Sequence, residues 1–139
     1  MRKSRKARKF SKFEYEKAPD IRSRVLKLVE ELHLDYLLGE RLFFYRSTGS
    51  KARAYARTWG LPKLWQNALE IEPAYIIEVI SKYFDKLPSR EQDKVLLHEI
   101  SHVPKNFSGA LLPHTRKKKG SFKGKLDELI MRYLENENL

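Results

Sequence analysis

The sequence contains no cysteine, and this absence excludes several kinds of site at once. Without thiols the chain has no disulfide, no catalytic cysteine and no thiolate ligand for a metal ion. Histidine, aspartate and glutamate are then the side chains left to bind a metal. There are only four histidines among 139 residues, so any cluster of them is informative.

Long apolar runs are also missing. No stretch approaches the ~18 apolar residues that a membrane span needs, so we predict no transmembrane helix. The N-terminus is basic but is not followed by the apolar segment of a signal peptide, so we expect a cytoplasmic protein. A chain of 139 residues, with 41% hydrophobic and 34% charged residues, predicts one globular domain with a highly charged surface.

Acidic residues are lacking from the first 13 positions, where the sequence is "MRKSRKARKFSKF". We predict a disordered basic tail over residues 1–13 and a single domain over residues 14–139. The tail supplies seven of the eleven net positive charges, from Arg2, Lys3, Arg5, Lys6, Arg8, Lys9 and Lys12. A second basic run, "RKKKGSFKGK", occupies residues 116–125.

Basic residues interspersed with Phe10 and Phe13 suit binding to the phosphate backbone and bases of DNA or RNA. No base-reading motif is present, so such binding should be independent of sequence. The alternative is a tail that only increases solubility. The tail has no apolar face, which argues against a role at a membrane surface.

The periodicity of apolar residues predicts an α+β domain. A helix is expected over about 20–33, with Asp20 as its N-cap. Residues 39–60 are typical of two strands around a turn, and residues 74–80 of a buried strand. Residues 62–71 fit either a strand continuation or a short helix.

Two further helices complete the predicted fold. The first covers residues 89–103, with a capping box from Ser89 to Gln92 and a stop at Pro104. A loop with proline and Ser-Gly signals follows it. The second is the amphipathic segment "KLDELIMRYLEN", whose apolar face comprises Leu126, Leu129, Ile130, Tyr133 and Leu134. We therefore expect a small sheet of about three strands packed with an N-terminal, a central and a C-terminal helix.

The central helix carries the pattern H-E-x-x-H at His98, Glu99 and His102. Side chains four residues apart share one helix face, and both imidazoles can therefore reach one zinc ion. Glu99 lies beside them and can accept a proton from water, as glutamate does in H-E-x-x-H proteases. The chance of this pattern arising in a chain of this composition is on the order of 0.01. The alternatives are a solvated ion-paired face and a purely structural metal site.

A catalytic zinc requires a third protein ligand. His114 lies twelve residues beyond His102, and a turn at Ser108-Gly109 can return it to the helix. The spacing leaves a carboxylate open as the alternative, for which Glu70, Glu72 and Glu78 are candidates. We interpret His33 as an ordinary histidine rather than a ligand.

The segment "YIIEVISKYFDKLPSREQDKVLLHEISHVPKNFSGALLPH", residues 75–114, resembles the phage-type metallopeptidase family. The shared pattern is a strand, a short linker, L-x-H-E-[LI]-x-H-[IV]-P-K-x-F-S-G and a further histidine. The helix that follows "APDI" and the segment "YARTWGLPKLWQ" are also similar, so the resemblance spans about residues 15–115.

The resemblance implies a minimal zincin fold, broadly similar to that of SprT-type metalloproteases. It implies one zinc ion per chain, held by His98, His102 and His114, with Glu99 as the catalytic glutamate. Zincins bind substrate as an added strand at the edge of the sheet. Residues 53–66 are the predicted edge strand and residues 74–80 the interior one.

These observations predict a zinc-dependent metallopeptidase that acts on proteins, and the basic tail suggests substrates associated with nucleic acid. The alternatives are a nucleic-acid-binding protein with a structural metal site and a zinc hydrolase acting on RNA. Trp59 and Trp65 either line a substrate pocket or are core residues that flank a bend.

Overall fold

The computed structural model describes residues 12–114 and 122–137, and every element below lies within them. The described chain forms an α+β domain, as predicted. Its elements in order are β1 (Glu14–Lys17), α1 (Pro19–Glu31), β2 (Leu42–Thr48), β3 (Ala56–Gly60), α2 (Lys63–Leu69), β4 (Tyr75–Ile80), α3 (Ser81–Phe84), α4 (Ser89–Ile100) and α5 (Phe122–Glu137).

The four strands form one sheet in the order β1-β2-β4-β3. β4 runs parallel to β2 and antiparallel to β3, and β1 is antiparallel to β2. The two strands predicted within residues 39–60 are present as β2 and β3, but they do not pair with each other, because β4 lies between them. Five of the six residues of β4 are buried, and so apolar a strand is best accommodated at the centre of the sheet. Its predicted interior position is confirmed, as is the edge position of β3.

The number of strands exceeds the predicted three because of β1. All four of its residues, Glu-Tyr-Glu-Lys, are exposed, so the sequence shows no alternation of apolar and polar residues that would predict this strand. Residues 63–69 form a short helix, which resolves the ambiguity over residues 62–71.

The hydrophobic core lies between one face of the sheet and the helices. Helix α1 packs on β2, α4 packs on β3, and α5 packs on α4. Representative core residues are Val25, Phe44, Ile77 and Leu97. The predicted face of α5 is confirmed, since Leu129 and Tyr133 are buried and Leu126, Ile130 and Leu134 pack partly buried beside them.

The predicted helix caps are wrong at both sites. Ala18 caps α1 and Pro19 is its first residue, which moves Asp20 into the first turn, where its carboxylate accepts hydrogen bonds from Arg46 at 3.0 and 3.1 Å. Pro88 caps α4 without any side-chain hydrogen bond.

The predicted partners at the start of α4 are engaged elsewhere. The Gln92 amide, expected to complete the capping box, instead donates to the carbonyl of Phe84 at 3.0 Å. The helix ends at Ile100, three residues earlier than predicted. The Ser101 hydroxyl donates back to the carbonyl of Leu97 at 2.7 Å, and a turn carries the chain on to Pro104.

Most of the predicted basic tail lies outside the described residues, including Arg2, Lys3, Arg5, Lys6, Arg8 and Lys9. Lys12 is described and exposed. Thr115 and residues 116–121 of the second basic run also lie outside the described residues. No helix in the described part of the chain is long and apolar enough to cross a membrane.

Candidate metal centre

Helix α4 presents the histidine motif to a cavity of about 900 Å³. Leu96, Leu97 and Ile100 face the core, which orients the opposite side of the helix outward. His98 lies on that side and His102 lies in the turn that follows the helix, with ring centroids 5.3 Å apart. The two rings therefore come together as predicted, although α4 ends two residues before His102.

The loop after α4 returns His114 to the same place. Its ring centroid lies 5.2 Å from that of His98 and 4.4 Å from that of His102. The Nε2 atoms of His98 and His114 are 3.2 Å apart. One ligand atom from each of the three histidines lies within 4.8 Å of the other two. The structure thus brings all three predicted ligands together, in a group that could hold a metal ion.

The loop is held by backbone groups and by one buried tyrosine. The N–H of Leu112 donates to the carbonyl of His102 at 2.7 Å. The Tyr75 hydroxyl accepts from the N–H of Gly109 and donates to the carbonyl of Ala110, both at 2.7 Å. His114 therefore follows a loop that is anchored to β4 and to the end of α4.

The donor set fits a metal ion in both protonation and orientation. Burial, with the neighbouring histidines, lowers the pKa of His98 to about 4, and burial also lowers the pKa of His102. Both rings are therefore neutral at neutral pH, which is the form that binds metal. His102 Nδ1 lies 2.7 Å from the carbonyl oxygen of Leu112, to which it can donate, so that Nε2 carries the lone pair.

Glu99 lines the same cavity but is held by its own partner. Its side chain is 7% exposed, and the Thr58 hydroxyl on β3 lies 2.8 Å from Oε1 and 3.0 Å from the Glu99 backbone oxygen. Burial raises the pKa of Glu99 to about 7, and the Thr58 hydrogen bond opposes this rise. A carboxyl group with a pKa in this range can both accept and donate a proton at neutral pH.

Sequence reasoning missed Thr58. Its role depends on the register of β3 with β4, where it pairs with Ile77 and so faces α4. No local pattern in the sequence signals such a contact across 41 positions.

The cavity is an open cleft with mixed walls. The segment from Ala54 to Thr58 forms one side, and Leu111 to Pro113 border the histidines. Val95, Leu126 and Ile130 add an apolar wall. Because β3 is last in the strand order, its outer edge has no partner strand in the described part of the chain.

Neither tryptophan lines this cavity, and neither is a core residue. Trp59 is 46% exposed and alternates with Thr58, so it faces the opposite side of the sheet. Trp65 is 57% exposed on α2. The interpretation of these two residues as core residues is therefore wrong.

The remaining candidates lie apart from the histidine cluster. His33 is exposed just beyond α1, as expected of an ordinary histidine. Glu70 and Glu72 are exposed beyond α2. Glu78 bonds to Trp59 and Arg57 on the far face of the sheet, so none of the three carboxylates joins the group.

A model of the family described as putative phage metallopeptidase matches residues 13–128. The chain belongs to this family. The match includes every strand, the histidine cluster and the first half of α5, and it confirms the predicted family resemblance. Comparison with curated proteins and with solved structures gives no match.

Membership in this metallopeptidase family is consistent with a metal-dependent peptidase. The part of the site that belongs to the H-E-x-x-H helix was apparent from the sequence. His114 was also a candidate ligand from the sequence, whereas the partners Thr58 and Leu112 become apparent only in the fold.

Proposed function

We propose that this phage-type metallopeptidase is a zinc-dependent hydrolase of peptide bonds. One observation carries the proposal: a buried carboxylate, Glu99, lines the same cavity as three histidines that converge on one point. Three protein ligands with a fourth position open are typical of catalytic zinc, whereas structural zinc sites are closed by four ligands. A purely structural site also has no use for the carboxylate.

In this proposal His98, His102 and His114 hold the zinc ion. When bound, zinc supplies Lewis acidity and lowers the pKa of a water molecule that it binds. Glu99 accepts the proton of the attacking water and passes it to the leaving amine. Thr58 keeps the Glu99 carboxylate in place, and the Leu112 carbonyl fixes the His102 ring.

The outer edge of β3, which no strand of the described residues covers, supports a peptide as the substrate. An extended chain can add to that edge through backbone hydrogen bonds, which are available to any sequence. The apolar wall of Val95, Leu126 and Ile130 then favours an apolar substrate side chain beside the histidines. We further propose proteins associated with DNA or RNA as substrates, on the basis of the charge of residues 1–13.

The test compares Glu99→Gln with Glu91→Gln, which changes an exposed glutamate on the same helix and at the same cavity. We expect both variants to retain zinc by elemental analysis, because neither change alters a histidine. Cleavage of casein should fall at least ~10²-fold in Glu99→Gln and remain near wild type in Glu91→Gln.

His98→Ala should instead lose zinc and activity together. Near wild-type casein cleavage by Glu99→Gln would refute the mechanism. Cleavage of an RNA substrate that requires Glu99, without cleavage of casein, would replace peptide with phosphodiester as the bond attacked.

A further inference from the structure

The sheet face opposite the helices carries a row of exposed aromatic side chains. Side chains alternate along a strand, so the residues that alternate with the core positions point away from the helices. Tyr15, Phe43 and Trp59 on this face are 54%, 43% and 46% exposed. Tyr45 lies between them, and Ile76 on β4 is 38% exposed. We call these five residues the aromatic face.

The aromatic face crosses all four strands. Tyr15, Tyr45, Ile76 and Trp59 line one shallow cavity of about 420 Å³, together with Glu78. The Tyr15 ring meets that of Tyr45 edge-on, with centroids 6.5 Å apart. Three strand spacings place the row over about 14 Å, which is long enough for more than one nucleotide base.

Trp59 is held in a fixed orientation. Its indole N–H donates to Glu78 at 2.9 Å, and the Arg57 guanidinium lies over its ring, 5.2 Å from the centroid. Arg57 also pairs with Glu78 at 3.3 Å, and the Glu78 side chain is only 1% exposed. The Glu78 carboxylate under the aromatic face is thus buried and its charge is balanced by Arg57, so it should not repel an anion.

Lysines border one end of the aromatic face. A second cavity, of about 850 Å³, is lined by Phe13, Ser47, Lys51, Ile80 and Lys82, among others, and none of its described lining residues is acidic. It joins the aromatic face through Phe13, whose ring centroid lies 4.8 Å from that of Tyr15. Glu14 and Glu16 alternate with Tyr15 and so point to the other side of β1.

A further lysine lies next to Phe13 in the described part of the chain. Lys12 is exposed, so it adds a positive charge beside the ring that joins the lysine-lined cavity to the aromatic face.

We propose that the aromatic face binds single-stranded nucleic acid, with bases stacked on Tyr15, Phe43 and Trp59 and phosphates bound by Lys51 and Lys82. Rings that stack on bases beside cations that bind the backbone are the two requirements for sequence-tolerant binding of single strands. In a duplex the faces of the bases are covered by stacking within the double helix, so a duplex can use the cations but not the aromatic rings. This binding does not depend on the proposed peptidase activity, because the face lies on the opposite side of the sheet.

The test uses the two tryptophans of the full chain as separate reporters. Trp65→Phe leaves Trp59 on the aromatic face, and Trp59→Phe leaves Trp65 on α2 as the matched control. Both are titrated with an oligothymidine strand while tryptophan emission is recorded. We expect quenching in the variant that retains Trp59 and none in the variant that retains Trp65, with weaker binding and no quenching by a duplex.

Affinity measurements on further variants complete the test. Tyr15→Ala and Phe43→Ala should each weaken binding of the oligothymidine by about 5- to 150-fold, and Trp65→Ala should not. Thermal unfolding confirms that each variant is folded. Binding without quenching of Trp59 would overturn the proposal and assign the binding to the basic tail. Absence of binding, equal quenching by duplex, or a dimer in which Trp59 is shielded from acrylamide would overturn it too.

Discussion

The hydroxyl of Tyr75 is a single group whose removal tests how the metal centre is built. Tyr75 is 1% exposed, and its hydroxyl bridges the N–H of Gly109 and the carbonyl of Ala110. Burial raises the pKa of this hydroxyl above its usual 10.0, so it stays protonated and able to donate. Tyr75→Phe deletes the hydroxyl and keeps the ring, which packs edge-on against Phe107 at 4.9 Å.

The loss of stability in Tyr75→Phe follows from the two backbone groups that lose their hydrogen-bond partner. The Gly109 N–H is buried and finds no water in place of the hydroxyl, which costs about 1–3 kcal/mol. The Ala110 carbonyl belongs to an exposed residue and can recover part of its bond from water, so its loss adds about 1 kcal/mol. The free energy of unfolding should therefore fall by about 2–4 kcal/mol.

Urea denaturation measures this difference, and Tyr15→Phe is the matched control, because the Tyr15 ring is 54% exposed. The freed loop should also hold His114 less firmly, so zinc affinity measured against a chelator should fall about tenfold. A destabilisation below ~1 kcal/mol with unchanged zinc affinity would refute the view that Tyr75 anchors the loop.

Two further predictions concern single polar contacts. Thr58→Val keeps the side-chain shape but removes the hydrogen bond to Glu99, so kcat/KM on casein should fall about 10- to 150-fold with zinc content unchanged. Full activity in the variant would contradict the role given to Thr58. The hydrogen bond from Arg46 holds the pKa of Asp20 below its usual 3.8. The pair therefore stabilises the folded state at pH values above 3.8, and this contribution is lost as the pH falls through the pKa of Asp20 in the folded protein. In urea denaturation Asp20→Asn should therefore be less stable than wild type at pH 6, by at most ~1 kcal/mol because the pair is exposed, and the difference should shrink at pH 3.

The parts of the fold that the sequence predicted are those set by local periodicity. The H-E-x-x-H helix, the buried β4 and the apolar face of α5 each follow from spacings of two to four residues. The features that were predicted wrongly or missed depend largely on contacts between residues far apart in the chain. The strand order β1-β2-β4-β3 depends on how deeply each strand is buried, and β1 pairs through its backbone while all its side chains remain exposed. Prolines, rather than the polar residues beside them, determined where α1 and α4 begin.

The return of His114 shows why spacing alone left the third candidate ligand open. The loop that leads to His114 turns at "NFSG", where Gly109 adopts φ +99°, a conformation that strains any residue with a Cβ. A Cβ at Gly109 would lie 2.4 Å from the carbonyl oxygen of Leu61, and one at Gly60 would lie 2.1 Å from that of Gly109. The Gln66 amide links the two segments by donating to the carbonyls of Leu61 and Ser108 at 2.8 and 2.9 Å. The position of His114 therefore rests on close contacts between segments more than 40 residues apart, which no pattern within the motif encodes.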